Sequence, residues 1–278
     1  MGTFDEEVAS LLGAAVRAQK NIVISGAMDS GKTTLLRALA REIPPRERIV
    51  TIEQALELGL DAVPHRHPDM VALEARPANV ECEGLISVAD LVRRALRMNA
   101  DRVIVGEVLG DEVLPMLNAM SQGRSGSMCT IHSDSSAGVF RRIASYAVQS
   151  RERLPLEATN LLIAGAIHFV VHLDSEIGDD IGPTGDDHSD PSVWMMADDQ
   201  DDAGRCREFV AGKPRQRFVS SIREVVDADG VQVISNEVYR PATDRRAVAA
   251  SPLRSSTVTE LRRFGYRSGS TEFAGLST

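Results

Sequence analysis

The stretch ISGAMDSGKTTLL, Ile24 to Leu36, restricts the fold of this 278-residue chain more than any other. It satisfies G-x-x-x-x-G-K-T with Gly26, Gly31, Lys32 and Thr33. A short β-branched run, NIVIS, precedes it, and KTTLLRALAREI follows with helical spacing until Pro44 and Pro45 stop it. Strand, glycine loop and helix in that order let backbone N–H groups wrap a phosphate while the positive end of the helix faces it. Gly26, Ala27, Met28, Asp29, Ser30, Gly31, Lys32, Thr33 and Thr34 are therefore the expected nucleotide loop. Lys32 is expected to reach the β- and γ-phosphates of ATP, and the Thr33 hydroxyl to hold Mg²⁺. Asp29 is the unusual member, because a carboxylate about 4 Å from a phosphate costs about 1 kcal/mol in water and more in a closed site. Aspartate tolerates the left-handed backbone such a loop needs, so weakened affinity is expected and not its loss.

The surrounding pattern alternates between periods. RIVTIE and RVIVGE read as short buried strands that each end on a glutamate, and SMCTIH as one that ends on a histidine. Between them lie helical patterns: an opening helix with a Thr3–Glu6 capping box, SVADLVRRALRM capped by Ser87, and DEVLPMLNAMSQG closed by Gly123. Two more helices are expected over 137–150 and 156–166. The fold class is α/β, a mostly parallel sheet flanked by helices. The core is expected to span 1–173. From Asp174 to Asp202 the chain carries eleven carboxylates and no Lys or Arg, the composition of a solvated, disordered insertion over 174–207. Over 208–241, alternating apolar positions either side of Asp229–Gly230 predict a β-hairpin that completes the core. Residues 242–278 read as a polar tail.

Composition narrows the setting. No apolar run approaches the 18 residues of a membrane helix, and MGTFDEEVAS is acidic where a leader is basic, so the expected place is the cytosol. Cys82, Cys129 and Cys206 form no CxxC or Cys/His cluster, which argues against structural zinc or a disulfide framework. The histidines of HRHPD, His65 to Asp69, lack a nearby third ligand and read as loop. Cys129 and the methionines Met116, Met120 and Met128 read as packing. A net charge of −9 gives no overall attraction to nucleic acid.

Ligands of open α/β sheets bind off the carboxyl ends of the strands, and hydrolysis needs a group there to orient water. Glu53, Glu107 and His132 each occupy such an end. Glu107 is assigned to polarise water, Glu53 to support it, and His132 to sense or hydrogen-bond the phosphate.

Four segments resemble those of the secretion-superfamily ATPases, most closely the CpaF-type ATPases of Tad (Flp) pilus and type II or type IV secretion machines. They are GAMDSGKTT, RIVTIEQALELGL, LVRRALRMNADRVIVGEVLG and GRSGSMCTIHSDSS, and the likeness runs from about Asn21 to Phe140. The resemblance implies a RecA-like P-loop core, ATP with Mg²⁺ and a homo-hexameric ring, or one shared with complete homologues. It also implies peripheral attachment to the inner face of the membrane, where the ring works on a platform protein of a pilus or secretion machine. Where the family usually has glycine, aspartate and arginine, this chain has Asp29, Gln54 and Leu109, and Arg124 opens the histidine segment. No counterpart of the family's N-terminal domain, which supplies arginines to the nucleotide, is recognisable. Arg93, Arg97, Arg141 and Arg142 are candidates to replace them. Two other readings stand beside the motor: a hydrolysis-impaired regulatory or structural paralogue, and a nucleic-acid translocase, which the acidic charge disfavours.

Overall fold

A computed structural model describes residues 4–121, 125–177 and 215–267. It divides into one compact unit, Met1–Asp174 with Arg217–Thr278, and a second, Ser175–Gln216, described only at its margins. Most of the acidic run and the hairpin reading over 208–214 lie outside the described residues, as do Thr3, Gly123 and Arg124.

The sheet is built from β1 (Ile22–Gly26), β2 (Ile49–Glu53), β3 (Met70–Glu74), β4 (Arg102–Val108), β5 (Met128–His132), β6 (Phe169–Ile177), β7 (Arg215–Ala228), β8 (Val233–Pro241) and β9 (Ala247–Ala249). Their order across it is β3-β2-β4-β5-β1-β6-β7-β8-β9. The pairings β3-β2-β4-β5-β1-β6 are parallel, while β7-β8-β9 are antiparallel. The helices are α1 (Glu6–Arg17), α2 (Lys32–Ala40), α3 (Val88–Ala95), α4 (Val113–Ser121), α5 (Gly138–Gln149), α6 (Leu156–Ala166) and α7 (Ser255–Arg262). Among the described residues none is long and apolar enough to cross a membrane.

A parallel strand covered on both faces must be apolar on both, which is why NIVIS and RVIV show no polar alternation. Ile22 and Ile24 point into a core with residues of α1, α2 and α7, whereas Val23 points into a second core with α3, α4, α5 and α6. Ile104 and its neighbours Val103 and Val105 divide between the same two cores. The helices therefore hold the carboxyl ends of β1, β2, β4 and β5 level with one another.

At the opposite end of β1 the fully buried Asn21 side chain serves four backbone groups. Its amide donates to Met120 O at 2.8 Å and Ala166 O at 2.6 Å, and its oxygen accepts Gly126 N–H at 2.8 Å and Ser127 N–H at 2.9 Å. The amino ends of β1 and β5 and the ends of α4 and α6 thus share one polar hub.

Two expectations are corrected, and one strand falls outside the sequence reading. The cap of α1 is not a Thr3–Glu6 box: Asp5 is the N-cap, its carboxylate accepting Val8 N–H at 2.8 Å. β3, a half-buried strand, has no distinct signature in the sequence pattern. Residues 242–267 are not a featureless tail but hold β9 and α7. The buried Glu224 of β7 anchors α7, accepting Arg254 N–H at 3.0 Å, Arg254 Nε at 2.9 Å and the Thr257 hydroxyl. Lys20 pairs with Glu260 at 2.7 Å from the other side.

The His168 ring accepts Asn21 N–H on Nδ1 at 3.0 Å, which requires its neutral form. Burial first, and the charge of Lys20 next, hold its pKa down to about 4 against an ordinary 6.5. Between those values the unfolded chain binds a proton that the folded chain refuses. Stability should therefore hold above about pH 6.5 and fall as pH drops towards 4, by roughly 3 kcal/mol in all. Urea unfolding at steps between pH 7.5 and 4.5 should show this slope, and His168→Gln should flatten it.

Candidate functional site

The local conformation of the loop follows from its residue types. Gly26 has φ +153°, and a Cβ there would lie 2.4 Å from Ser30 Oγ and 2.5 Å from Leu173 O, so only glycine fits. Gly31 has φ +92° and starts α2 without any side-chain cap. The first N–H groups of α2 therefore have neither an intrahelical nor a side-chain acceptor. Asp29 adopts φ +57°, the left-handed state expected for it. Ser30 is buried with its Oγ unpartnered. Such a concavity of unpaired donors at a helix N-terminus is chemically suited to an oxyanion such as phosphate.

Lys32 is buried, and its ammonium has three acceptors: Ala27 O at 2.7 Å, Gly26 O at 3.2 Å and His132 Nδ1 at 3.2 Å. Three donors meet three acceptors. Burial lowers the Lys32 pKa, with the charges of Glu107 and Asp29 acting in the opposite direction. If Lys32 donates to Nδ1, the neutral His132 ring carries its proton on Nε2, and that nitrogen lies 2.7 Å from Glu107 Oε1. A chain Lys32–His132–Glu107 results, with the carboxylate at its open end.

Register brings these groups together. Gly26 at the end of β1 pairs with His132 at the end of β5. In β4 the pairing with β5 shifts between Val105 and Val108, so Gly106 and Glu107 together oppose Thr130, whose hydroxyl donates to Gly106 O at 2.6 Å. A bulge of this kind re-aims a side chain, here Glu107, towards the tip of the neighbouring strand.

A cleft of about 580 Å³ opens over this end of the sheet. The loop lines it through Met28, Asp29, Gly31, Lys32, Thr33 and Thr34, and the strand tips through Glu53, Glu107 and His132. The three polar strand ends singled out in the sequence thus converge on one cleft. Gly26 and Ala27 contribute carbonyls to Lys32, and Ser30 lies beneath the loop. Glu53 is the most constrained of the acids: its Oε2 accepts Glu57 N–H and Leu58 N–H, each at 2.8 Å, and so holds the turn after β2. Its side chain also lies against Gly106, where a Cβ would come within 2.9 Å of Glu53 Cγ.

The sequence reading missed Arg217 and Thr130. Arg217, near the start of β7, lines the cleft and donates from Nε to Asp29 O at 2.7 Å. The only sequence signal was an arginine opening the alternating run RQRFV, and it does not say which end of the sheet that residue reaches. Arg93 and Arg97 lie elsewhere, in a groove along α3, and Arg141 and Arg142 beside α5 and the Ser133–Ser135 turn. Among the described residues no group of three His, Cys, Asp or Glu is arranged to hold a metal ion, and His67 is buried with neither ring nitrogen paired. Thr33 remains the residue suited to a magnesium ion that accompanies phosphate.

Residues 1–250 match the family model described as "Type II/IV secretion system protein". Type IV secretion system protein PtlH of Bordetella pertussis is 38% identical over 170 residues, 60% of this chain and 49% of that protein. Type IV secretion system protein VirB11 of Brucella suis is 35% identical over 176 residues, 62% of this chain and 48% of that protein. The crystal structure of the Brucella suis VirB11 ATPase in complex with sulphate superposes with a TM-score of 0.55 at 33% identity, over 63% of this chain and 49% of that one. The chain spans about half the length of these relatives.

Glu53→Ala would strand two backbone N–H groups, one of them buried, and should cost about 1–3 kcal/mol, with the turn after β2 loosened. Glu53→Gln keeps an oxygen acceptor and should cost under about 1 kcal/mol. Thermal unfolding of the two variants, side by side, measures the difference.

Proposed function

Since the chain belongs to the type II/IV secretion system protein family, we propose that it is an ATP-binding and ATP-hydrolysing motor subunit of a pilus-assembly or secretion machine. Within the family we assign it to the CpaF type, on the four segments that resemble it. The observation that carries the reading is the Lys32–His132–Glu107 chain beside the uncapped start of α2, at the mouth of one cleft.

The residues fit ATP and Mg²⁺. The free N–H groups at the start of α2 and the unpartnered Ser30 hydroxyl suit phosphate oxygens, and the Thr33 hydroxyl would hold the ion. Bound ATP–Mg²⁺ would supply the terminal phosphoryl group and its electrophilic activation. Lys32 contributes the positive charge, and it must exchange a carbonyl acceptor for phosphate to do so. His132 fixes the orientation of Glu107 through Nε2–H, and Glu107, which lines the cleft, accepts the proton of an attacking water. Glu53 keeps the turn after β2 clear of that path.

Relatives named as secretion ATPases support a ring of six copies, of this chain or mixed with complete homologues, at the cytoplasmic face of the membrane. A platform protein in that membrane is the partner. A hydrolysis-impaired regulatory paralogue is the second reading, favoured by Leu109, whose half-exposed apolar side chain stands at the cleft mouth.

Malachite-green phosphate release separates the two. Glu107→Gln should lower turnover by about 10²- to 10⁴-fold while leaving ATP binding within a few-fold. Lys32→Ala should remove binding itself. ATP binding by the wild type without any phosphate release would replace the motor with the regulatory reading.

A further inference from the structure

The phosphate loop carries an acidic residue, and a basic side chain from a remote strand is laid directly over that position. Arg217 reaches the loop from β7, 188 residues further along the chain than Asp29. Its aliphatic stem covers Gly31, where a Cβ would meet Arg217 Cδ at 3.0 Å, and its Nε donates to the Asp29 carbonyl at 2.7 Å. Among the described residues its terminal nitrogens make no further hydrogen bond or ion pair, and the side chain is exposed and lines the cleft with Lys32 and Thr33. The formal charges around the cleft sharpen the point. Among the described residues that line the cleft, Asp29, Glu53, Glu57 and Glu107 are acidic, while Lys32, whose ammonium is held by protein acceptors, and Arg217 are basic.

We propose that Arg217 is a phosphate ligand supplied by β7 of the same chain, a second cation that offsets Asp29 when a nucleoside triphosphate binds. A guanidinium suits this place better than an ammonium. Its Nε can stay on the Asp29 carbonyl while the two terminal nitrogens turn to phosphate oxygens, so one side chain sets the loop and meets the ligand at once.

The assignment rests on the nucleotide reading above, and the test separates the two. ATP affinity is measured by calorimetric titration with Mg²⁺ for the wild type, Arg217→Ala, Arg217→Lys and Arg217→Gln, with the melting temperature of each as a check on folding. Removing a charge-assisted contact should weaken ATP binding by about 10- to 100-fold in Arg217→Ala. Lysine, which keeps the charge, should restore most of the affinity. Glutamine, which keeps a donor for the Asp29 carbonyl without charge, should not. Unchanged affinity in Arg217→Ala, or full rescue by glutamine and not by lysine, would show a clip that only shapes the loop and would overturn the proposal. A wild type that binds no ATP overturns the nucleotide reading and the assignment with it.

Discussion

The ammonium of Lys32 is the point on which the site turns. Buried beneath its loop, it has no spare donor: two carbonyls of the loop and one ring nitrogen of His132 take all three protons. That saturation has two effects. It compensates the buried cation with acceptors of the protein itself. It also transmits the position of Lys32 to Glu107, because His132 cannot accept on one nitrogen without presenting a donor on the other. An anion that took one donor of Lys32 would therefore be felt at the ring and at the carboxylate together.

This coupling depends on strand tips being level to within a side chain's length. Parallel pairing of β1 with β5 sets Gly26 opposite His132, and the bulge in β4 advances Glu107 by one residue. Neither would hold if the strands slid. The two cores prevent it by burying Ile22 and Ile24 on one face and Val23 on the other, and a slip of one residue would exchange the two sets. Asn21 locks the far end, since its four hydrogen bonds join the starts of β1 and β5 to the ends of α4 and α6. A polar hub at one end and a polar site at the other thus share the same strands.

Much of this was legible in the sequence, for a physical reason. The loop, α2, the strand ends at Glu53, Glu107 and His132, and the hairpin about Gly230 are local in origin: each is specified by residues within about ten positions. What escaped was specified at a distance. α7 buries only Thr257 and Leu261 and is held by Glu224 and Lys20, more than 30 and 230 residues away, so no amphipathic period marks it. The bulge at Gly106–Glu107 is likewise invisible, because it exists only in the pairing with β5. Glu53, singled out at a strand end, lines the cleft, yet its engagement with Glu57 and Leu58 N–H depends on how the chain turns after the strand.

Charge balance gives the fold a further constraint. Among the described residues the cleft presents four carboxylates against one lysine and one arginine. The loop's N–H dipoles and the start of α2 offer partial charges only, worth a fraction of an elementary charge. An anion entering this cleft would be met by Lys32 and Arg217 of the same chain and by the N–H groups at the start of α2, against the carboxylates that share the lining.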